Sequence, residues 1–244
     1  MPVGDIPGWH QVFADDFTKN APLGAFASNG NGPVYEGDHG GKWGSYGDGW
    51  ACSPWPNCYQ PAQVVSVHDG VLDFWLHNVN GAPAGATLSP YIAGNDTVQT
   101  YGRFMARFKV VYEDSRRLDE YHIAWLLWPA READWQVAES DFPEADLNQT
   151  SVCAYAHGPS PGEQQERCTG IDFSQWHTFV QEWRPGERRY LIDGKLVGGS
   201  PLTAGVYAGP EFWALQNEAH ARPGDSTSGH LLVDWVTAYA LAGG

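Results

Sequence analysis

The sequence predicts an all-β protein, a sandwich or barrel of antiparallel strands, on three observations. Short segments rich in Val, Ile, Tyr, Phe and Trp recur between clusters of Gly, Pro, Asn and Asp, the pattern of many strands joined by turns. Sustained helical periodicity is absent, which removes folds that alternate strands with amphipathic helices. Asp69-Gly70 and Asp193-Gly194 supply dipeptides that accept positive φ at both hairpin positions. In chain order, strands are expected at 63–67, 71–77, 101–111, 122–128, 151–156, 178–183, 189–192, 211–215 and 231–239. No internal repeat or linker divides the 244 residues, so one domain is expected.

Between the turn-rich start and the first of these strands, residues 29–61 are dense in Gly, Pro and Trp and read as one long loop. A loop of that length in a compact domain is usually functional or disordered. Trp43, Tyr46, Trp50 and Trp55 would be costly to leave in water, so the loop is expected to fold over a sheet edge or a cleft.

Charge and composition narrow the partners. With 14 basic and 29 acidic residues the formal net charge is -15, a field that repels nucleic-acid backbones and anionic lipid surfaces and favours a neutral ligand. No run approaches the roughly 18 apolar residues of a membrane span. Twelve Trp, eleven Tyr and ten Phe exceed what a core needs and point to aromatic platforms, as a sugar-binding surface requires. Four cysteines allow three pairings, and the two local ones, Cys52 with Cys58 and Cys153 with Cys168, close the shortest loops. Two such bridges imply an oxidising compartment and hence export. Met1-Pro2-Val3-Gly4-Asp5 lacks the basic and apolar regions of a signal peptide.

The chemistry concentrates in Glu139-Ser140-Asp141-Phe142-Pro143-Glu144. In a strand, residues i and i+2 share a face, so Glu139 and Asp141 point the same way and Glu144 points away. Pro143 has no amide to donate and is tolerated only at an edge or bulge; one inserted residue there returns Glu144 to the face of the other two. Three clustered carboxylates suit a retaining glycosidase, in which one carboxyl attacks the anomeric carbon and another, roughly 5–5.5 Å away, protonates the leaving oxygen. Asp141 between them would hydrogen-bond the nucleophile, and crowding of like charge raises the pKa of the group hardest to ionise.

The same segment resembles the ExDxxE signature of glycoside hydrolase family 16, the laminarinase-like enzymes with a concanavalin-type jelly roll. Phe13-Ala14-Asp15-Asp16-Phe17 is similar to that family's opening strand, and Tyr101 to Lys109 to its YGxxExRxK strand. His122 to Pro129 is similar to its AFWLLP segment, Trp176-His177-Thr178-Phe179 through Gly194 to its WHTYxxEW and YVDG segments, and Val233-Asp234-Trp235-Val236 to its closing strand. The resemblance implies a jelly-roll sandwich of two antiparallel sheets with a concave substrate cleft. It implies Glu139 as nucleophile, Asp141 as its assisting carboxylate and Glu144 as general acid/base. Arg107 falls on the family's substrate-facing Arg, Trp125, Trp128 and Trp135 are candidates for a sugar-binding floor, and His157 for a bond to sugar or to Asp141. Asp234 and the carbonyl of Gly70 match positions that hold a structural calcium in many members. The chain departs at Ser140, Phe142 and Ala138, and at Met105, where the family's Glu is expected to serve a subsite.

The expectation is therefore a secreted, monomeric endo-hydrolase of a neutral β-linked polysaccharide, a β-1,3- or mixed-linked glucan, or a hydrolase or transglycosylase acting on a galactan or another glycan. No nucleotide, haem or zinc motif is present, so catalysis is expected to need no cofactor. Two other classes compete. A non-catalytic carbohydrate-binding jelly roll has the same architecture, but both catalytic Glu are present. A polysaccharide lyase would need a basic or Tyr/His centre acting on uronic acids, against the charge balance.

Overall fold

A computed structural model describes residues 1–52, 55–92, 97–203, 205–220 and 227–243; the side chain of Trp55 lies outside the described part. Among these residues two nine-stranded antiparallel sheets face each other. The back sheet runs Lys195–Leu196, Glu187–Ile192, His177–Arg184, Gly102–Tyr112, Gly229–Leu241, Val71–Val79, Val65–His68, with Trp9–Asp15 and Ala82–Ala84 added on Gly229–Leu241 and Val71–Val79. The front sheet runs Gln164–Gly170, Ser151–His157, Ser140–Asp146, Tyr121–Pro129, Glu211–Ala219, Ala86–Pro90, Lys42–Ser45, Pro33–Glu36, and Val98–Gln99 also joins Glu211–Ala219. This is the all-β jelly-roll sandwich that the sequence predicts.

Alternation explains how the sheets pack. Along Gly102–Tyr112, Phe104, Ala106, Phe108 and Val110 enter the core between the sheets, and the intervening residues face outward. Tyr121–Pro129 is covered on both sides: Ile123, Trp125 and Leu127 fill the same core, whereas Ala124 and Leu126 pack with Ala214, Phe212 and Trp128 on the front face. Rings of this size each bury some 150–250 Å² and dominate the core. The two expected hairpin turns form, with φ of 51° and 75° at Asp69-Gly70 and 49° and 76° at Asp193-Gly194. Both central residues thus have the positive φ of a type I′ turn, whose twist matches the flanking strands.

Three local expectations change. Residues 29–61 are not one loop: they supply the edge strands Pro33–Glu36 and Lys42–Ser45 and the hairpin Trp50–Cys52 with Trp55–Tyr59. Pro61–Val64 is a single helical turn, so the strand expected from residue 63 begins at Val65. The strand Gln164–Gly170 went unpredicted because it is a polar, largely exposed edge with no apolar alternation to betray it. Both local disulfides are present, Cys52–Cys58 and Cys153–Cys168, the second joining residues directly opposite in paired strands. No helix among the described residues is long and apolar enough to cross a membrane.

Candidate active site

Glu139 does not lie within the strand. It caps the short helix Trp135–Ala138, with φ −51° and ψ 136°, and the chain enters Ser140–Asp146 from it. Its backbone carbonyl accepts a hydrogen bond from the amide of His157 at 2.9 Å, which ties this junction to the next strand. Within the strand the parity break expected at Pro143 is present. Asp141 pairs with Leu126 and Tyr155, but Glu144 pairs with Ala124 and Cys153, so three steps on this strand oppose two on each neighbour. The extra residue lies at Phe142-Pro143, whose peptide bond is cis. Ser140, Phe142 and Ala145 therefore face the core, while Glu139, Asp141 and Glu144 line one groove of ≈ 340 Å³ on the front face.

The core side of the same strand is anchored to the back sheet by polar side chains. The hydroxyls of Ser140 and Tyr190 share a hydrogen bond of 2.7 Å, and Gln181 Nε2 donates to Ser140 Oγ at 2.8 Å. Phe142 packs at a tilt against Phe179 and Tyr190, at 5.8 and 5.3 Å between ring centroids. Ser140 and Phe142, departures from the family pattern, are thus the two residues that lock the carboxylate strand across the core. Close by, Arg188 Nη2 donates to both oxygens of Glu211 at 2.7 and 2.9 Å and reaches the carbonyl of Ala138 at 3.4 Å. Buried ion pairs of this kind fix geometry more dependably than they add stability.

Burial and like charge perturb two of these acids, Glu139 and Asp141. Burial first, then the charges of Glu144 and Glu132, push Glu139 up to about 7. Asp141 is driven well above the carboxylate range by complete burial and by Glu139 and Glu144, against a smaller opposing pull from Arg188. Its Oδ1 is buried without a hydrogen-bond partner, and a carboxylate oxygen of Asp141 lies within 4.8 Å of one on Glu139. Burial and like charge thus make Asp141 resist ionisation beside Glu139.

The remaining groove residues complete the picture. His157 Nδ1 stands 3.5 Å from Glu139 Oε2, so it attends the first Glu rather than Asp141, and burial holds its pKa below the usual value. Trp135, 40% exposed, lies parallel to Trp128 at 6.5 Å and beside His157 at 6.0 Å, forming an aromatic flank next to Glu139. Trp128 Nε1 donates to Glu132 Oε2 at 3.0 Å, leaving the ring edge fixed. The 29–61 segment contributes Tyr46, tilted against Trp50 at 5.8 Å and edge-on to Tyr59 at 5.2 Å. Tyr59 OH donates to Glu218 Oε2 at 3.1 Å. A second hollow of ≈ 230 Å³ opens on the far side of Phe212, lined by Tyr46, Ser89 and Tyr91.

Three sequence expectations fail on position. Trp125 is fully buried between the sheets and donates Nε1–H to Asn217 Oδ1 at 3.3 Å, so it is core and not floor. The sequence held the sign: residues 125 and 128 are three apart and take opposite faces of a strand. Arg107 lies on the outer face of the back sheet, the side of the molecule away from the groove, ion-paired to Asp234 and stacked over Trp176 at 4.9 Å. Met105 packs on that same outer face with Trp9, Val180, Trp235 and Tyr239, so its difference from Glu touches no groove subsite. The same pairing occupies Asp234, the carboxylate expected with the Gly70 carbonyl at a calcium site, with a guanidinium, and a calcium there would need six to eight oxygens.

His122, Gln164, Gln216, Glu218 and His220 also line the groove and were not anticipated. His122 was legible in principle, because it shares strand parity with Ala124, Leu126 and Trp128.

Solved structures resemble this architecture along nearly its whole length. The endo-1,3-beta-glucanase from Streptomyces sioyaensis superposes with a TM-score of 0.72 at 17% identity, covering 98% of this chain and 99% of that one. A non-specific endo-beta-1,3(4)-glucanase from family GH16 gives 0.69 at 15% identity over 99% and 94%. The laminarinase from Rhodothermus marinus gives 0.69 at 18% over 95% and 97%. No family model matches the sequence, and no curated protein matches it. The fold is that of the laminarinase-like family 16 enzymes.

Proposed function

We propose that this protein is a retaining endo-glycosidase that cleaves a neutral β-linked polysaccharide, a β-1,3- or mixed-linked glucan, and that it works outside the cytosol. One observation carries the reading: the bulge at Phe142-Pro143 brings Glu144 onto the groove face that already holds Glu139 and Asp141. Glycosyl transfer with retention needs this set, a nucleophile, an acid that becomes a base, and a means of keeping their charges apart. Glucanases among the structural neighbours support the substrate class, and two disulfides support an oxidising compartment.

In the first step Glu139 attacks the anomeric carbon as Glu144 gives its proton to the departing glycosidic oxygen. The C–O bond to the leaving sugar breaks and a glycosyl ester forms on Glu139. In the second step Glu144 takes a proton from water, whose oxygen displaces Glu139 with a second inversion. Asp141, whose burial and acidic neighbours resist its ionisation, limits the negative charge of the cluster and can donate toward Glu139 when that carboxylate departs. Trp128 and Trp135 on one side and Tyr46 and Trp50 on the other offer ring faces to sugars on either side of the cut. Glu139→Gln and Glu144→Gln are expected to lower release of reducing ends from laminarin or mixed-linked glucan by at least about a thousandfold. Binding of those glucans by the wild-type chain without release of reducing ends would instead support the carbohydrate-binding reading.

A further inference from the structure

We propose that His122, braced by Asp146, is a positioning residue for Glu144: it holds one carboxyl oxygen of the acid/base so that the other faces the leaving group, and it offers a cation to the carboxylate once the proton has gone. The inference rests on the assignment of Glu144 as general acid/base. His122 stands on Tyr121–Pro129, in the same register as Ala124 and Leu126, with its side chain on the groove face. Its Nε2 lies 3.4 Å from Glu144 Oε1, and its Nδ1 lies 2.8 Å from Asp146 Oδ1. Both carboxylates come from Ser140–Asp146, two residues apart and beyond the bulge, so a single imidazole spans them.

The other neighbouring strand packs against the opposite side of His122. His220 stacks on its ring at 4.4 Å and 14°, and is engaged through Nε2 by Glu218 Oε1 at 3.1 Å, while Tyr59 OH holds the second oxygen of Glu218. The titratable groups facing His122 are therefore Glu144 and Asp146 on one flank and His220, backed by Glu218, on the other. Three of these four are carboxylates. Burial alone would lower the pKa of His122, yet hydrogen bonding to Glu144 and Asp146 outweighs it and holds the imidazole above its usual value. One ligand atom each of His122, Asp146 and His220 lies within 4.8 Å of the others, and parallel stacking keeps the lone pairs of the two imidazoles in separate planes.

The consequence differs between substrates. A polysaccharide leaving group is a poor one and needs the proton of Glu144; a 2,4-dinitrophenyl leaving group departs without it. His122→Gln is expected to lower kcat/KM on the polysaccharide by about tenfold or more and on a 2,4-dinitrophenyl oligoglucoside by less than about twofold. With the cation gone, the alkaline limb of the polysaccharide pH profile moves to higher pH. Asp146→Asn, on a half-exposed side chain that carries no core packing, is expected to act in the same direction with a smaller effect. Equal losses on both substrates with an unmoved pH profile would overturn the proposal and leave His122 a structural residue. Glu144→Gln measured in parallel separates the two failures: if it too spares polysaccharide cleavage, the acid/base assignment itself falls.

Discussion

As the proposed nucleophile, Glu139 faces two opposed demands, since a nucleophile must be ionised and a buried carboxylate resists ionising. Its folded-state pKa of about 7 lies above the ordinary 4.5, so ionising it costs more in the folded than in the unfolded protein. Stability is thus fully retained below about pH 4 and falls as pH rises through about 7. The gap corresponds to roughly 3 kcal/mol at one unit per 1.36 kcal/mol. Glu139→Gln is therefore expected to abolish hydrolysis while raising Tm by several degrees at pH 8 and hardly at all at pH 4.5, as read by thermal denaturation. An equal shift at both pH values would contradict the burial of this charge. The tryptophans divide on the same scale. Trp125→Ala should cost about 3–5 kcal/mol in denaturant unfolding because it empties a core site. Trp135→Ala should leave Tm within a degree or two and raise KM several-fold, because its half-exposed ring faces the groove.

The carboxylate strand shows how one inserted residue sets the site. Without Pro143 the run would read Glu-Ser-Asp-Phe-Glu, and simple alternation would put all three acids on one face. With it, the bulge does the same work at the expense of one unpaired residue. Deleting Pro143 is accordingly expected to preserve folding and to keep activity within about tenfold, whereas inserting an alanine between Pro143 and Glu144 turns Glu144 toward the core and should abolish activity while circular dichroism stays unchanged. The bulge was legible because Pro143 breaks both the pattern and the ladder at one position. Glu139 was less so. It ends a single helical turn, too short for any periodicity to register, and the strand begins one residue later.

Over the whole molecule, strand existence was legible where one face is buried, and sheet membership was not. Gly102–Tyr112 alternates clearly, but nothing in its sequence says that Arg107 and Met105 look away from the groove, because that depends on which sheet the strand joins. The resemblance placed Arg107 and Asp234 in separate roles, as a sugar ligand and a calcium ligand; folded, they neutralise each other on the far side. The 29–61 segment was legible as aromatic-rich and illegible as structure, since Gly and Pro interrupt each short strand. Its contribution is clearest in Tyr59, which packs edge-on with Tyr46 and donates to Glu218 of the groove. A chain of net charge -15 that gathers Glu139, Asp141, Glu144 and Glu218 in one groove repels polyanions there.

The central claim is double displacement at Glu139, and the anomeric configuration of the first product tests it most directly. Proton NMR in the first minutes of cleavage, on whichever of laminarin, mixed-linked glucan, agarose, galactan or xyloglucan is turned over, should show the β-anomer appearing first and the α-anomer growing only by mutarotation. Initial appearance of the α-anomer, or undiminished cleavage by Glu139→Gln, would contradict it.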